Sequence, residues 1–90
     1  MSDLPTAIKF AGSQAALAAS LGVSQPTVSE WLRGERPIPP PLCCSIETLT
    51  GGLVNCESLR PELPWHRVSD KAWPWHKKGR PVLDVTKAAA

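Results

Sequence analysis

The chain has 90 residues, 42 % hydrophobic and 20 % charged, with a formal net charge of +2. That length fits one domain built on a single modest core and leaves no room for a second domain beside it. The longest apolar runs fall far short of the ~20 residues of a membrane helix, and no signal peptide or lipidation motif is visible, so a cytoplasmic protein with no membrane partner is expected.

Asp3–Ala11 is predicted to be a first helix. Asp3 can cap it, Pro5 suits a first turn whose N–H groups lack partners anyway, and Leu4, Ala7, Ile8 and Ala11 share one face. Gly12 ends it. Ser13 is a good N-cap for a second helix, Gln14–Leu21, whose apolar face is Leu17, Ala18 and Leu21. Gly22 tolerates positive φ and stops that helix. Ser24 then caps a third helix, Gln25–Arg33, in which Pro26 takes the first turn and Val28, Trp31 and Leu32 give an apolar face. Gly34 ends it, and Glu35–Pro39 forms an extended, proline-stiffened connection. Pro40–Thr50 reads as a fourth helix, with Leu42, Ile46 and Leu49 spaced four and three apart, stopped by Gly51-Gly52. Leu53-Val54 reads as a brief extended piece, and Cys56–Leu63 as room for one more helical turn before Pro64.

From Trp65 the periodicity is lost. Of the ten prolines all but Pro5 and Pro26 cluster after Arg36 and again from Pro61 to Pro81, and Trp73-Pro74-Trp75 cannot be a regular helix interior. Only Pro81–Val85 alternates enough for a short strand. Ala88–Ala90 has the look of an expression-vector junction, with no part in the fold expected. The expected fold class is therefore all-α: four to five helices over residues 1–64, then an irregular Trp/Pro-rich basic tail over 65–90. Charge divides at the same boundary. Residues 1–64 carry four bases and six acids, whereas residues 65–90 carry six bases and two acids. A polyanion could be attracted to that tail without base specificity.

Residues 14–34 have the pattern of a helix-turn-helix. Two helices crossing at roughly 90–120° need a small residue where their backbones approach, and Ala18 supplies it. The turn needs a residue able to go left-handed, and Gly22 stands four positions later. Val28 and Trp31 anchor the second helix. Gln25, Pro26, Thr27, Ser29 and Glu30 leave a short outer face free of bulky apolar groups, as entry into a DNA major groove requires.

The stretch SQAALAASLGVSQPTVSEWLRG (13–34) resembles the Cro/CI-type (XRE-type) helix-turn-helix regulators of phages and bacteria, and among them most the short YdaS-like, Cro-like prophage proteins. The runs VSEWLRGERPIP and Glu-x-x-Thr-Gly-Gly…Leu-Arg-Pro-Glu-Leu (47–63) carry the closer match. The resemblance covers roughly residues 4–64, and the tail from Trp65 carries none of it. It implies a lambda-repressor-like helical bundle acting as a homodimer on palindromic operator DNA, with the recognition helix in the major groove. It also implies roles. Ser13 and Gln14 would hold a phosphate at a helix N-terminus. Gln25, Pro26, Thr27, Ser29 and Glu30 would face base edges, and Arg33 and Arg36 would reach the backbone. The chemistry agrees: Gln can bind adenine, Glu can accept from cytosine, and the Thr methyl can touch that of thymine. Pro26 is a departure, since many members carry Gln or Arg there, and its readout could only be apolar.

Several residues have a plainer reading beside this one. Glu30 could merely pair with Arg33 three residues on. Cys43, Cys44, Cys56, His66 and His76 invite zinc, but they contain no C-x-x-C and adjacent cysteines rarely share an ion, so no metal and no cofactor is expected. Three cysteines, two of them adjacent, make a poor disulfide framework and fit a reducing compartment. Trp65, Trp73 and Trp75 either pack back onto the domain or form a dimer interface. His76–Arg80 is either a DNA-contacting arm or a solvated tail. The function expected is that of a repressor occluding a promoter. Its rival is an antitoxin or interaction module that binds a toxin or another phage or host protein. The scattered acids give no catalytic constellation, so no enzyme is expected.

Overall fold

The chain's caps and stops divide its first half into short helices. A computed structural model describes residues 4–83, so Asp3, the end of the Pro81–Val85 stretch and Ala88–Ala90 lie outside the described residues. Helix α1 spans Leu4–Ala11, α2 Gln14–Leu21, α3 Gln25–Leu32, α4 Pro40–Leu49 and α5 Cys56–Leu59. Ser13 caps α2, its hydroxyl accepting from the Ala16 N–H at 3.0 Å. Ser24 caps α3 in the same way through the Thr27 N–H, and Asn55 caps α5 through Ser58. Each cap satisfies a backbone donor that the first turn leaves without a partner. Gly22 closes α2 at φ 72°, ψ 29°, and the Val23 N–H reaches back to the Ala18 carbonyl. This left-handed geometry is strained for any residue with a Cβ.

The expected boundaries hold to within a residue or so at most ends. Helix α3 stops at Leu32 with Arg33 as its cap, and α4 stops at Leu49 with Thr50 as its cap. Leu53-Val54 is not extended, because Thr50 folds the chain into bends there. The Thr50 hydroxyl donates to the Ile46 carbonyl at 2.9 Å and accepts from the Val54 N–H at 3.1 Å.

The core gathers one face from each helix. Leu4 and Ala7 of α1, Leu17 and Ala18 of α2, Val28 and Trp31 of α3, and Cys43 and Ile46 of α4 are buried together with Ile38, Val54 and Cys56. Burying such side chains is the main stabilising contribution in a domain this size.

The all-helical expectation is corrected at the C-terminal end. Strand β1 (Trp65–Val68) pairs antiparallel with β2 (Arg80–Leu83), with Trp65 opposite Leu83 and Val68 opposite Arg80. Residues 65–68 and 80–83 are therefore strands where an irregular tail was expected, while 69–79 between them has no regular element. Two causes hid the pair. The short strand expected from Pro81 is present as β2, but β1 is only four residues long and the connection 69–79 is far longer than a hairpin turn, so neither periodicity nor turn chemistry announces β1 or the pairing. Pro81 is tolerated because β2 lies at an edge. Gly79, at φ 104°, passes so close to β1 that an added Cβ would clash with the Val68 carbonyl.

This sheet is fastened to the helices by a buried ionic cluster. Arg67 of β1 meets Glu47 of α4 end-on, Nη1 donating to Oε2 and Nη2 to Oε1, both at 2.7 Å. Arg67 Nε also donates to Glu57 Oε2 at 3.0 Å, and its Nη1 to the Gly79 carbonyl at 3.0 Å. Glu47 accepts two further bonds, from the Cys56 N–H at 3.0 Å and from the Trp73 indole at 2.6 Å. The Glu47 side chain is 0 % exposed and that of Arg67 7 %. Burial alone would raise the Glu47 carboxyl, but Arg67, Trp73 and the Cys56 N–H outweigh it and hold the group below the usual carboxylate range. Trp65 donates its indole N–H to the Arg60 carbonyl at 2.9 Å. Trp65 and Trp73 thus take the first of their two sequence readings and pack back onto the helical body.

Candidate nucleic-acid interface

Helix α3 has two unlike sides. Val28 and Trp31 point into the core, and a helix turns 100° per residue, so Gln25, Pro26, Ser29, Glu30 and Arg33 fall opposite them. Gln25 and Pro26 are exposed in the first turn, and Ser29 and Glu30 are half-buried further along. Thr27 sits at the buried flank and is half-buried. Its hydroxyl shares a 2.8 Å hydrogen bond with Ser24, so of the five expected base-facing residues it is the least free to turn outward.

The N-terminus of α2 stands next to this face. Ser29 Oγ donates to Gln14 Oε1 at 2.6 Å, joining the middle of α3 to the first residue of α2. Fifteen positions separate the two, and no sequence signal marks the contact. It fixes the Gln14 side chain and places a helix N-terminus, with its free N–H groups and dipole, beside the outward face of α3. Ser13 is exposed, but its hydroxyl oxygen is committed to the Ala16 N–H.

Arg33 and Arg36 lie beyond the end of α3, both exposed. Arg33 pairs with Glu35, Nε to Oε2 at 2.7 Å, and Arg36 approaches Glu30 at a looser 3.9 Å. The expected Glu30–Arg33 pairing is therefore replaced. Arg33 is the residue at which the helix stops, so its side chain meets Glu35 in the following turn rather than Glu30 one turn back. The hydrogen bond and charge of Arg33 lower the Glu35 carboxyl, which raises the guanidinium in return. Such surface pairs contribute little in water and yield readily to a phosphate.

The basic tail is less available than its composition implies. Arg67 is buried against two glutamates, and Arg80 lies 3.3 Å from Asp70. Lys71, Lys77 and Lys78 remain exposed. Of the His76–Arg80 cluster, then, Lys77 and Lys78 are exposed, and Arg80 meets an anion only by exchanging its surface pair with Asp70. Among the described residues no group of three or more His, Cys, Asp or Glu side chains is gathered as a metal centre, and no helix is long and apolar enough to cross a membrane.

Known proteins resemble this chain in sequence and in structure. A family model described as bacterial toxin YdaS matches residues 4–68. YdaS of Escherichia coli (strain K12), named as a transcriptional regulator, is 48 % identical over 54 residues, covering 60 % of this chain and 55 % of the relative. The chain thus spans about half the length of that relative. The regulatory protein Cro of Pseudomonas phage D3 is 41 % identical over 58 residues, covering 64 % of this chain and 80 % of the phage protein. Among solved structures, the Cro protein from prophage element Xfaso 1 of Xylella fastidiosa strain Ann-1 aligns with a TM-score of 0.61 at 45 % identity, covering 69 % of this chain and 94 % of the other.

Proposed function

Since the chain belongs to the bacterial toxin YdaS family, whose similar proteins include a named transcriptional regulator and two Cro proteins, we propose that it is a DNA-binding transcriptional regulator. It acts as a repressor, covering a promoter as a homodimer on a palindromic operator. The observation that carries this reading is the outward face of α3, capped by Ser24 and braced by the Ser29–Gln14 hydrogen bond beside the N-terminus of α2.

In this reading α3 enters the major groove. Gln25 makes the strongest base contact, bidentate to an adenine, and Pro26 offers apolar contact to a thymine methyl. Ser29 and Glu30 reach neighbouring edges, with Thr27 at the flank. Ser13 and Gln14 meet one phosphate, Ser13 chiefly through the helix end it caps. Arg33 and Arg36 meet others once they exchange Glu35 and Glu30 for the backbone. Residues up to 64 do the reading, and Lys77 and Lys78 of the tail add non-specific attraction.

Fluorescence anisotropy on a duplex recovered by selection tests these assignments. Gln25→Ala is expected to weaken binding by about 1–3 kcal/mol and to relax the preference at one base position. Arg33→Ala is expected to weaken all duplexes about equally and to reduce the salt slope by about 1. Binding that ignores both substitutions and does not change with salt would contradict the proposal.

The family's name carries a second reading, in which the same helical unit works within a toxin–antitoxin pair through a protein partner. If expression in a bacterial host alters growth and Gln25→Ala leaves that effect intact, the protein-partner reading is the one to keep.

A further inference from the structure

Three cysteines enter the helical body, and two of them face each other. The Cys56 thiol lies 3.9 Å from the Cys44 sulfur and donates to it, at the junction of α4 and α5. Cys43, next in sequence, turns the other way and donates to the Ile38 carbonyl at 3.8 Å. Accessibility separates them too. Cys43 and Cys56 are 0 % exposed, whereas Cys44 is half-buried and lines a cleft of about 400 Å³ with Ser20, Ser45, Thr48, Leu49 and Trp73. A small solute therefore reaches Cys44 first, with Cys56 directly behind it.

We propose that Cys44 is a peroxide-sensitive modification site and that Cys56 resolves it, leaving an intramolecular Cys44–Cys56 disulfide. The Cys44 thiolate attacks one oxygen of hydrogen peroxide; the O–O bond breaks, and the departing hydroxide takes up the proton the thiol lost, forming water. Cys44 is then a sulfenic acid. The Cys56 sulfur attacks the Cys44 sulfur, the S–O bond breaks, and the Cys56 proton leaves with the hydroxyl as a second water. Two thiols have supplied two electrons, and the peroxide has been reduced to two waters. Closing the gap to a bond of about 2.05 Å takes a sulfur displacement of roughly 2 Å, within reach of side-chain rotation.

The local chemistry favours Cys44 as the attacking group. The hydrogen bond from Cys56 brings its thiol down to about 7, assisted by Arg67 and opposed by burial and Glu47. The same hydrogen bond, followed by burial, pushes Cys56 up. Burial first of all pushes Cys43 up to about 12, so the neighbouring thiol stays inert. The disulfide would join α4 to α5 beside the Glu47 carboxylate, which already holds the Cys56 N–H.

Peroxide treatment of the folded protein, quenching by alkylation in denaturant, and peptide mapping test this without any variant. The expected product takes one alkylating group where the reduced protein takes three, contains a Cys44–Cys56 cross-link, and is restored by dithiothreitol. Cys43→Ser should oxidise like the wild type, and Cys56→Ser should accumulate a sulfenic acid at Cys44 that a dimedone-type nucleophile traps. A cross-link mapping to Cys43, equal oxidation of Cys44→Ser, or retention of all three thiols while free cysteine in the same tube is consumed would overturn the proposal.

Discussion

Arg67→Ala is expected to lower stability by about 3–5 kcal/mol, because it leaves Glu47 charged, buried and without its principal partner. Against the 5–15 kcal/mol typical of a whole domain, that brings the protein close to unfolding. Two features make the loss larger than for a surface pair. Both side chains are almost fully withdrawn from water, and Glu47 anchors three separate segments through Arg67, Cys56 and Trp73. Replacing both partners with apolar residues, as in Glu47→Leu with Arg67→Met, should cost much less than either single change, since no buried charge is then stranded. Acidity gives an independent check. Glu47 and Glu57 are both held below their ordinary range, Glu57 chiefly by Arg67. Their stabilisation is thus complete above the unfolded value of about 4.3 and is lost as pH falls through the lower folded values. Urea melts between neutral pH and about pH 3 should show wild-type stability falling in that window. The difference between wild type and Arg67→Ala should narrow with it, and a difference that stays constant down the series would count against the cluster.

Trp31→Ala is expected to cost about 3–5 kcal/mol, the usual range for emptying a buried aromatic site. Trp31 is 6 % exposed and is one of the two side chains that hold α3 to the core. Its indole N–H is buried with no hydrogen-bond partner among the described residues. Trp31→Phe therefore forfeits no hydrogen bond and should cost clearly less than Trp31→Ala, its penalty being the smaller cavity left by the lost part of the ring. The two variants together separate packing from polarity at this position. A thermal melt in which Phe is as damaging as Ala would show that the N–H is engaged after all.

How much of this could be seen in the residues alone depends on the distance over which each feature is encoded. The caps at Ser13 and Ser24 act on N–H groups three residues ahead, and Gly22 acts on its own backbone, so each could be placed from its neighbours. The outward face of α3 follows equally directly from the helical period once Val28 and Trp31 are turned inward. Glu47 and Arg67 stand twenty positions apart and belong to different kinds of element, and nothing near either one names the other. Arg67 therefore counted as one of six bases in a free tail, when it is the bolt that fastens the tail down. The Ser29–Gln14 bond escaped for the same reason. Arg33 illustrates a subtler limit. The spacing rule that paired it with Glu30 assumes a helix continuing past both, and α3 ends at Leu32.

A tail of net positive charge looked like the source of non-specific affinity, but Arg67 is consumed by folding and Arg80 lies beside Asp70. In the proposed DNA-binding reading, affinity for the backbone rests on Arg33, Arg36 and the exposed lysines, together with the end of α2 and the proposed dimerisation.

Selection of bound duplexes from a random DNA pool, at low and then at moderate salt, addresses the proposed function most directly. Enrichment of a two-fold-symmetric site is predicted, with half-sites one helical turn apart, about 34 Å between centres. Its preference should relax at one position per half-site in Gln25→Ala. A pool that shows no enrichment over its input for a folded protein, even at low salt, would contradict the DNA-binding reading.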